Sequence, residues 1–239
     1  MKKFLYPILA ISFIISFSEL YSQEDAEPIN TDRPDQSDGA YILNKGNLQI
    51  EEGLFFDKES SLNNFMLRAG ITNSTELRLL IDAGTVGSEF VVLPIGFSFK
   101  QSIFKQKKYI PAITLSGYFR HDKLASSNIR TDNYSYFLNF VFQYDIGERW
   151  STGFNAGTTD YLNNLIFTSS TSYSASEKIT FFCEYFSKFE KGRNPQHNFD
   201  GGILFLVNKK MQLDIAYATS LLRDDAYQYV TIGFSYRFK

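Results

Sequence analysis

The feature that most constrains this chain is an apolar rhythm of period two, in a sequence with no long apolar run beyond its opening residues. Tyr134, Tyr136, Leu138, Phe140, Phe142 and Tyr144 alternate with Ser135, Phe137, Asn139, Val141 and Gln143. Val230, Ile232, Phe234, Tyr236 and Phe238 alternate with Thr231, Gly233, Ser235 and Arg237. Leu93, Ile95, Phe97 and Phe99 likewise alternate with Pro94, Gly96, Ser98 and Lys100. Successive side chains of a strand point to opposite faces, so each segment has one apolar face and one polar or small face. After the opening residues no stretch approaches the ~18 apolar residues of a membrane helix, and no helical stripe is sustained.

Carried along the chain, the rhythm predicts about twelve strands: 47–56, 63–70, 76–83, 90–103, 109–120, 133–145, 150–158, 165–174, 178–186, 198–207, 211–219 and 227–238. An even number suits a bacterial transmembrane barrel, which pairs short periplasmic turns with longer external loops. The spacers 71–75, 104–108, 146–149, 175–177 and 208–210 read as the short set, and 121–132, 187–197 and 220–226 as the long, charged one. Unpaired backbone groups cost several kcal/mol each in hydrocarbon, so strands cross lipid only when every edge is paired. The last strand is therefore expected to seal against the first, and its aromatics suit an interfacial girdle. The fold expected is an all-β, antiparallel transmembrane barrel spanning 47–239, with an irregular segment at 23–46 before it.

Met1-Lys2-Lys3 followed by the apolar run from Phe4 to Phe17 reads as a secretory signal peptide over 1–22, cut after Ser18 or Ser22. The run is shorter than the ~20 residues a spanning helix needs, and Glu19 follows it at once. The implied address is the bacterial outer membrane, with membrane lipid, lipopolysaccharide and the barrel-assembly machinery as partners. A formal charge of −2 argues against nucleic acid. Aromatics make up 17% of the residues, with 24 Phe and 15 Tyr to one Trp, which is rich for a soluble domain. The single cysteine, Cys183, excludes an internal disulfide framework. One cysteine and two separated histidines make no metal cluster. No cofactor is expected.

Before the first strand stands Ile29-Asn30-Thr31-Asp32-Arg33-Pro34-Asp35-Gln36-Ser37-Asp38, then Asn44-Lys45-Gly46-Asn47-Leu48-Gln49-Ile50-Glu51-Glu52-Gly53. With Val91–Lys100, the Gln212-Leu213-Asp214 core and the closing Gly233-Phe234-Ser235-Tyr236-Arg237-Phe238, these segments resemble the outer-membrane transporter family named for the meta-cleavage (MetA) pathway of phenol degradation, especially its Bacteroidetes members. The resemblance implies a barrel that passes small, often aromatic or hydrophobic, solutes. It brings no established catalytic or binding residues.

Twelve strands enclose more space than side chains alone fill. By parity the lumen is expected to carry Arg68, Glu76, Arg78, Lys100, Glu184, Asp214 and Arg237, beside apolar Phe137, Val141, Phe182 and Phe186. Arg68 and Arg78 should face each other across a tight turn, an arrangement that needs a counter-ion. Glu76 is one candidate, and the segment containing Asp32, Arg33 and Asp35 another. Residues 27–40 are therefore read either as a plug or gate in the periplasmic mouth or as a flexible leader. A lipid-modifying enzyme is the alternative function, with His121 near Ser126, Ser127 and Asn128, and His197 beside the tenth strand. No motif fixes the geometry that nucleophilic catalysis requires. The third possibility is a structural or adhesive barrel. The Arg223-Asp224-Asp225 run could attract calcium or lipopolysaccharide cations, though such runs are usually just solvated.

Overall fold

The computed structural model describes residues 27–130, 134–159, 162–222 and 227–238. The expected signal peptide and the Arg223-Asp224-Asp225 run lie outside them. The described chain forms one antiparallel sheet of β1 (Leu48–Asp57), β2 (Ser60–Gly70), β3 (Thr75–Val86), β4 (Glu89–Val92), β5 (Ile95–Phe104), β6 (Ala112–His121), β7 (Tyr134–Ile146), β8 (Trp150–Thr159), β9 (Asn164–Ser174), β10 (Ile179–Glu190), β11 (Gln196–Asn208), β12 (Met211–Leu221) and β13 (Gln228–Arg237). The sheet closes on itself: β13 pairs with β1 from Gln49↔Arg237 to Asp57↔Tyr229, and β2 pairs with both β1 and β3. β4 and β5 are two halves of one stave. Both lie against β3, and the break falls at Leu93-Pro94, where proline has no N–H for the ladder. The wall is thus a closed twelve-strand barrel.

Its burial is inverted relative to a water-soluble protein. Gln49, Glu51, Arg68, Glu76, Lys100 and Asp200 are fully inaccessible, whereas Phe97 is 59% exposed and Leu54 48%. Every inaccessible charge points into the barrel, and the outer wall is a belt of Leu, Ile and Phe. Such an arrangement is stable only where the outer wall meets an apolar solvent.

The strands reach further than the apolar residues alone suggest. β2 begins at Ser60 and not Asn63, β10 continues to Glu190, and β11 begins at Gln196. The upper turn between β1 and β2 is only 58–59, that between β3 and β4 is 87–88, and the lower connection 105–111 exceeds both. The expected division into short lower and long upper loops is corrected accordingly. The reason is that ladder pairing persists through polar ends such as Ser60↔Val86 and Ser61↔Thr85, beyond the belt that hydrophobicity marks. We call "lower" the mouth where β1 starts and β13 ends.

Candidate functional site

The lumen is built first by a hairpin with a charge problem. Arg68 on β2 and Arg78 on β3 are register partners, both pointing inward. Like charges directly opposite destabilise a strand pair. Glu76 lies between them: its Oε1 accepts from Arg68 Nε and from Arg78 Nε, each at 2.7 Å, and its Oε2 accepts from Arg68 Nη2 at 3.0 Å. Glu51 on β1 accepts from Arg68 Nη1 at 2.5 Å. Lys100 on β5 completes a basic wall on β2, β3 and β5.

Residues 29–43 lie inside the barrel against this wall, with 27–28 and 44–46 exposed at the lower mouth. They enter at the lower mouth, where the Glu27 carbonyl accepts from Arg237 Nη2 at 2.5 Å and the Asn30 carbonyl from Gln49 Nε2 at 2.9 Å. They turn back near mid-height and descend through Ala40, whose carbonyl accepts from Thr114 Oγ1 at 2.5 Å, and Leu43, whose N–H donates to Glu76 Oε2 at 2.7 Å. Gly46, at φ 79°, makes the turn into β1, a backbone region that side chains with a Cβ rarely adopt. Ala40 of the segment packs with Ala112 on β6 and Val141 on β7 in a small apolar cluster.

The segment complements the charges by wall. Asp32 accepts from Lys100 Nζ with both oxygens at 2.9 Å and also pairs with Arg78. Asp38 accepts from Arg78 Nη1 at 3.0 Å, Ser116 Oγ at 2.7 Å and Tyr118 Oη at 2.5 Å. Arg33 goes the other way, donating from Nη2 to Asp214 Oδ1 at 3.1 Å and to Thr231 Oγ1 at 2.8 Å. Its guanidinium fits because Gly53 and Gly233 are register partners beneath it; a Cβ on Gly53 would stand 2.0 Å from Arg33 Nη1.

Asp35 departs from expectation. It does not reach the basic wall but faces Glu184 and Asp200, on β10 and β11. Burial first, then the nearby charge of Glu184 and that of Asp200, holds its carboxyl well above the usual carboxylate range. The counter-ion role expected of Asp35 belongs to Asp32 and to Asp38, which the sequence reading left out. The basic partners of Asp32, Arg78 and Lys100 foremost, hold its carboxyl far below that range against the opposing effect of burial.

Above the segment the lumen opens into a cavity of about 1350 Å³ lined by Gln36, Phe137, Asn139, Asn155, Thr168, Phe186 and Tyr229 among others. That exceeds the ~300–1,000 Å³ usual for small-molecule sites. Below it, between Pro28-Ile29 and the wall from Arg149 to Gln212, lies a second cavity of about 460 Å³. Between the two levels stand the bonds of Gln36 and Ser37. The Gln36 N–H donates to Glu184 Oε2 at 2.8 Å and its Nε2 to Tyr229 Oη at 2.9 Å. Ser37 Oγ donates to Glu184 Oε1 and lies 2.6 Å from Thr168 Oγ1.

Of the residues singled out from the sequence, the structure brings Arg68, Glu76, Arg78, Lys100 and Asp32 into one network, and Arg33 with Asp214 into another. Glu184 joins neither, and Arg237 stays at the lower rim, bonded to the carbonyls of Glu27 and Lys209. Glu51, Asp38 and Asp200 were missed. Parity from Gly53 and from Gly202 would have turned Glu51 and Asp200 inward, whereas nothing local points to Asp38. The histidines sit elsewhere. His121 Nδ1 accepts from the Lys123 N–H at 2.9 Å at the start of a short 3-10 turn, Ser126 Oγ accepts from the Val92 N–H at 2.8 Å, and His197 stacks on Tyr185. Cys183 is exposed on the outer wall.

A family model described as "Putative MetA-pathway of phenol degradation" matches residues 31–238. No curated protein matches the sequence. Among solved structures the chain is similar to the KdgM porin, at 12% identity and a TM-score of 0.61, over 80% of this chain and 99% of that one. It is also similar to the NanC porin, at 11% identity and a TM-score of 0.59, over 79% and 98%. A channel described as the CymD monoaromatic hydrocarbon channel matches at 8% identity and a TM-score of 0.50, over 82% and 88%. At these identities the likeness shows a shared barrel fold.

Proposed function

The chain belongs to the MetA-pathway phenol-degradation family, and from that premise we propose that it is an outer-membrane channel for small solutes, closed in the state described by its own residues 27–46. The observation that carries the reading is the pair of cavities above and below one crossing segment, inside a closed barrel. In this reading the lower mouth is periplasmic, lipid covers the outer belt, and the chain reaches the membrane through a cleaved signal peptide and the barrel-assembly machinery. Lipopolysaccharide borders the upper rim. The upper cavity combines amides and hydroxyls with Phe137, Phe186 and Tyr229, which suits amphipathic or aromatic solutes better than bare ions. The role is transport and not catalysis, and it needs no cofactor.

Single-channel recording on the whole chain and on a variant lacking 27–40 tests this. The variant should conduct steadily where the whole chain conducts rarely. Equal conductance in the two would reject closure by the segment. No conductance and no liposome swelling from either would reject the channel.

A further inference from the structure

Glu184 and Asp200 are register partners on β10 and β11, both directed inward and each no more than 1% exposed. Asp35 of the inserted segment faces them. Among the described residues no lysine or arginine forms an ion pair with any of the three; the nearest cation along β10, Lys188, pairs with Glu190. Two carboxylates directly opposite each other on adjacent strands repel unless something between them supplies positive charge or protons. Asp200 Oδ1 accepts no hydrogen bond, and Oδ2 has only Tyr229 Oη at 3.4 Å. A fully buried carboxylate oxygen without a donor is an uncommon expense and points to a donor that arrives from elsewhere.

The groups around the pair are aromatic. Phe182 and Phe186 flank Glu184 on the inward face of β10, and Tyr229 stands over Asp200. Carboxylates framed by ring faces match an organic ammonium, whose N–H groups donate to carboxylate oxygens while its charge lies on the rings. At present Glu184 is satisfied by the backbone N–H of Gln36 and the hydroxyl of Ser37. Those two donors occupy the positions that an ammonium's N–H groups would take. Gln36 itself lines the floor of the upper cavity.

We propose that the Glu184 and Asp200 pair, roofed by Gln36 and Ser37, is a recognition site for a small aromatic or alkyl ammonium ion entering from the upper cavity. Binding there replaces the segment's donors on Glu184 and loosens the seal between the two cavities. The proposal rests on the channel reading only for the consequence, not for the binding.

The test uses the whole chain in detergent micelles, with phenethylammonium as probe and phenylacetate as the control of similar size and opposite charge, both followed by calorimetry. Saturable binding of phenethylammonium alone is expected, weakened roughly tenfold or more in the Glu184→Gln, Asp200→Asn variant. That variant relieves repulsion, so its heat-modifiable gel migration should match the parent. Equal binding of phenylacetate, no binding of phenethylammonium, or an undiminished affinity in the correctly folded variant would overturn the proposal. In planar bilayers the same ammonium should raise the open fraction. Binding without any conductance would leave this site standing and count against the channel instead.

Discussion

Asp32 and Arg33 share a peptide bond and reach opposite walls of the barrel, Asp32 to Lys100 and Arg78 on β5 and β3, Arg33 to Asp214 on β12. The segment is therefore clamped across the lumen by two charges of opposite sign. Asp32→Ala removes one clamp and leaves Lys100 and Arg78 partly unpaired. Its single-channel open fraction should rise several-fold, and an open fraction equal to that of the parent would show that these ion pairs do not hold the segment.

Glu76 is the residue that makes the β2–β3 hairpin tolerable. Glu76→Gln keeps the shape and removes the charge between Arg68 and Arg78, which then retain only Glu51, Asp32 and Asp38. It should therefore destabilise the barrel by about 1.5–3 kcal/mol, the usual worth of a hydrogen bond to a charged group. Urea unfolding in lipid vesicles measures it. A change below about 1 kcal/mol would mean that Glu51, Asp32 and Asp38 compensate by themselves.

At Gly53 the guanidinium of Arg33 already fills the place of a side chain. Gly53→Val should expel Arg33 while leaving the strand intact, because β-branched residues suit strands. Heat-modifiable migration should persist as conductance rises. Loss of the folded band would instead show that β1 itself needs the glycine.

The pH response follows from Asp35. A carboxyl whose pKa is raised on docking favours the docked state fully at low pH, and that contribution is lost as pH climbs through the raised value. Asp32 has the opposite sign, present above the ordinary carboxylate range and lost only in strong acid. As pH rises above the ordinary carboxylate range, the charge that Asp35 gains beside Glu184 and Asp200 weakens docking, and the open fraction should increase. Asp35→Asn should flatten that profile; an unchanged slope would assign the response to other groups.

Cys183, on the outer wall among Phe181 and Tyr185, reports on the surroundings of the barrel. In native vesicles a charged maleimide should leave it unmodified, while unfolding should expose it to full labelling. Rapid labelling of the native protein would place that wall in water.

The inward charges of Arg68, Glu76, Arg78, Lys100 and Glu184 were legible because a strand's side-chain period is fixed, so one correctly placed apolar residue orients its neighbours. Strand ends were not, since Ser60, Ser61 and Thr85 carry no hydrophobic signal even though their backbones pair. The break at Pro94 was passed over because Leu93 and Ile95 keep the apolar beat on either side. The route of residues 27–46 was least accessible. An irregular segment has no period, and its course is decided by partners as distant as Thr231 and Glu184, which local pattern does not reveal. Asp35 was assigned to the wrong wall for that reason.

The turn at Gly46 joins the inserted segment directly to β1. Occupant and container are thus one molecule, and the segment faces its site at a fixed effective concentration however dilute the protein becomes. Any solute that unseats it competes against an intramolecular rival that never diffuses away.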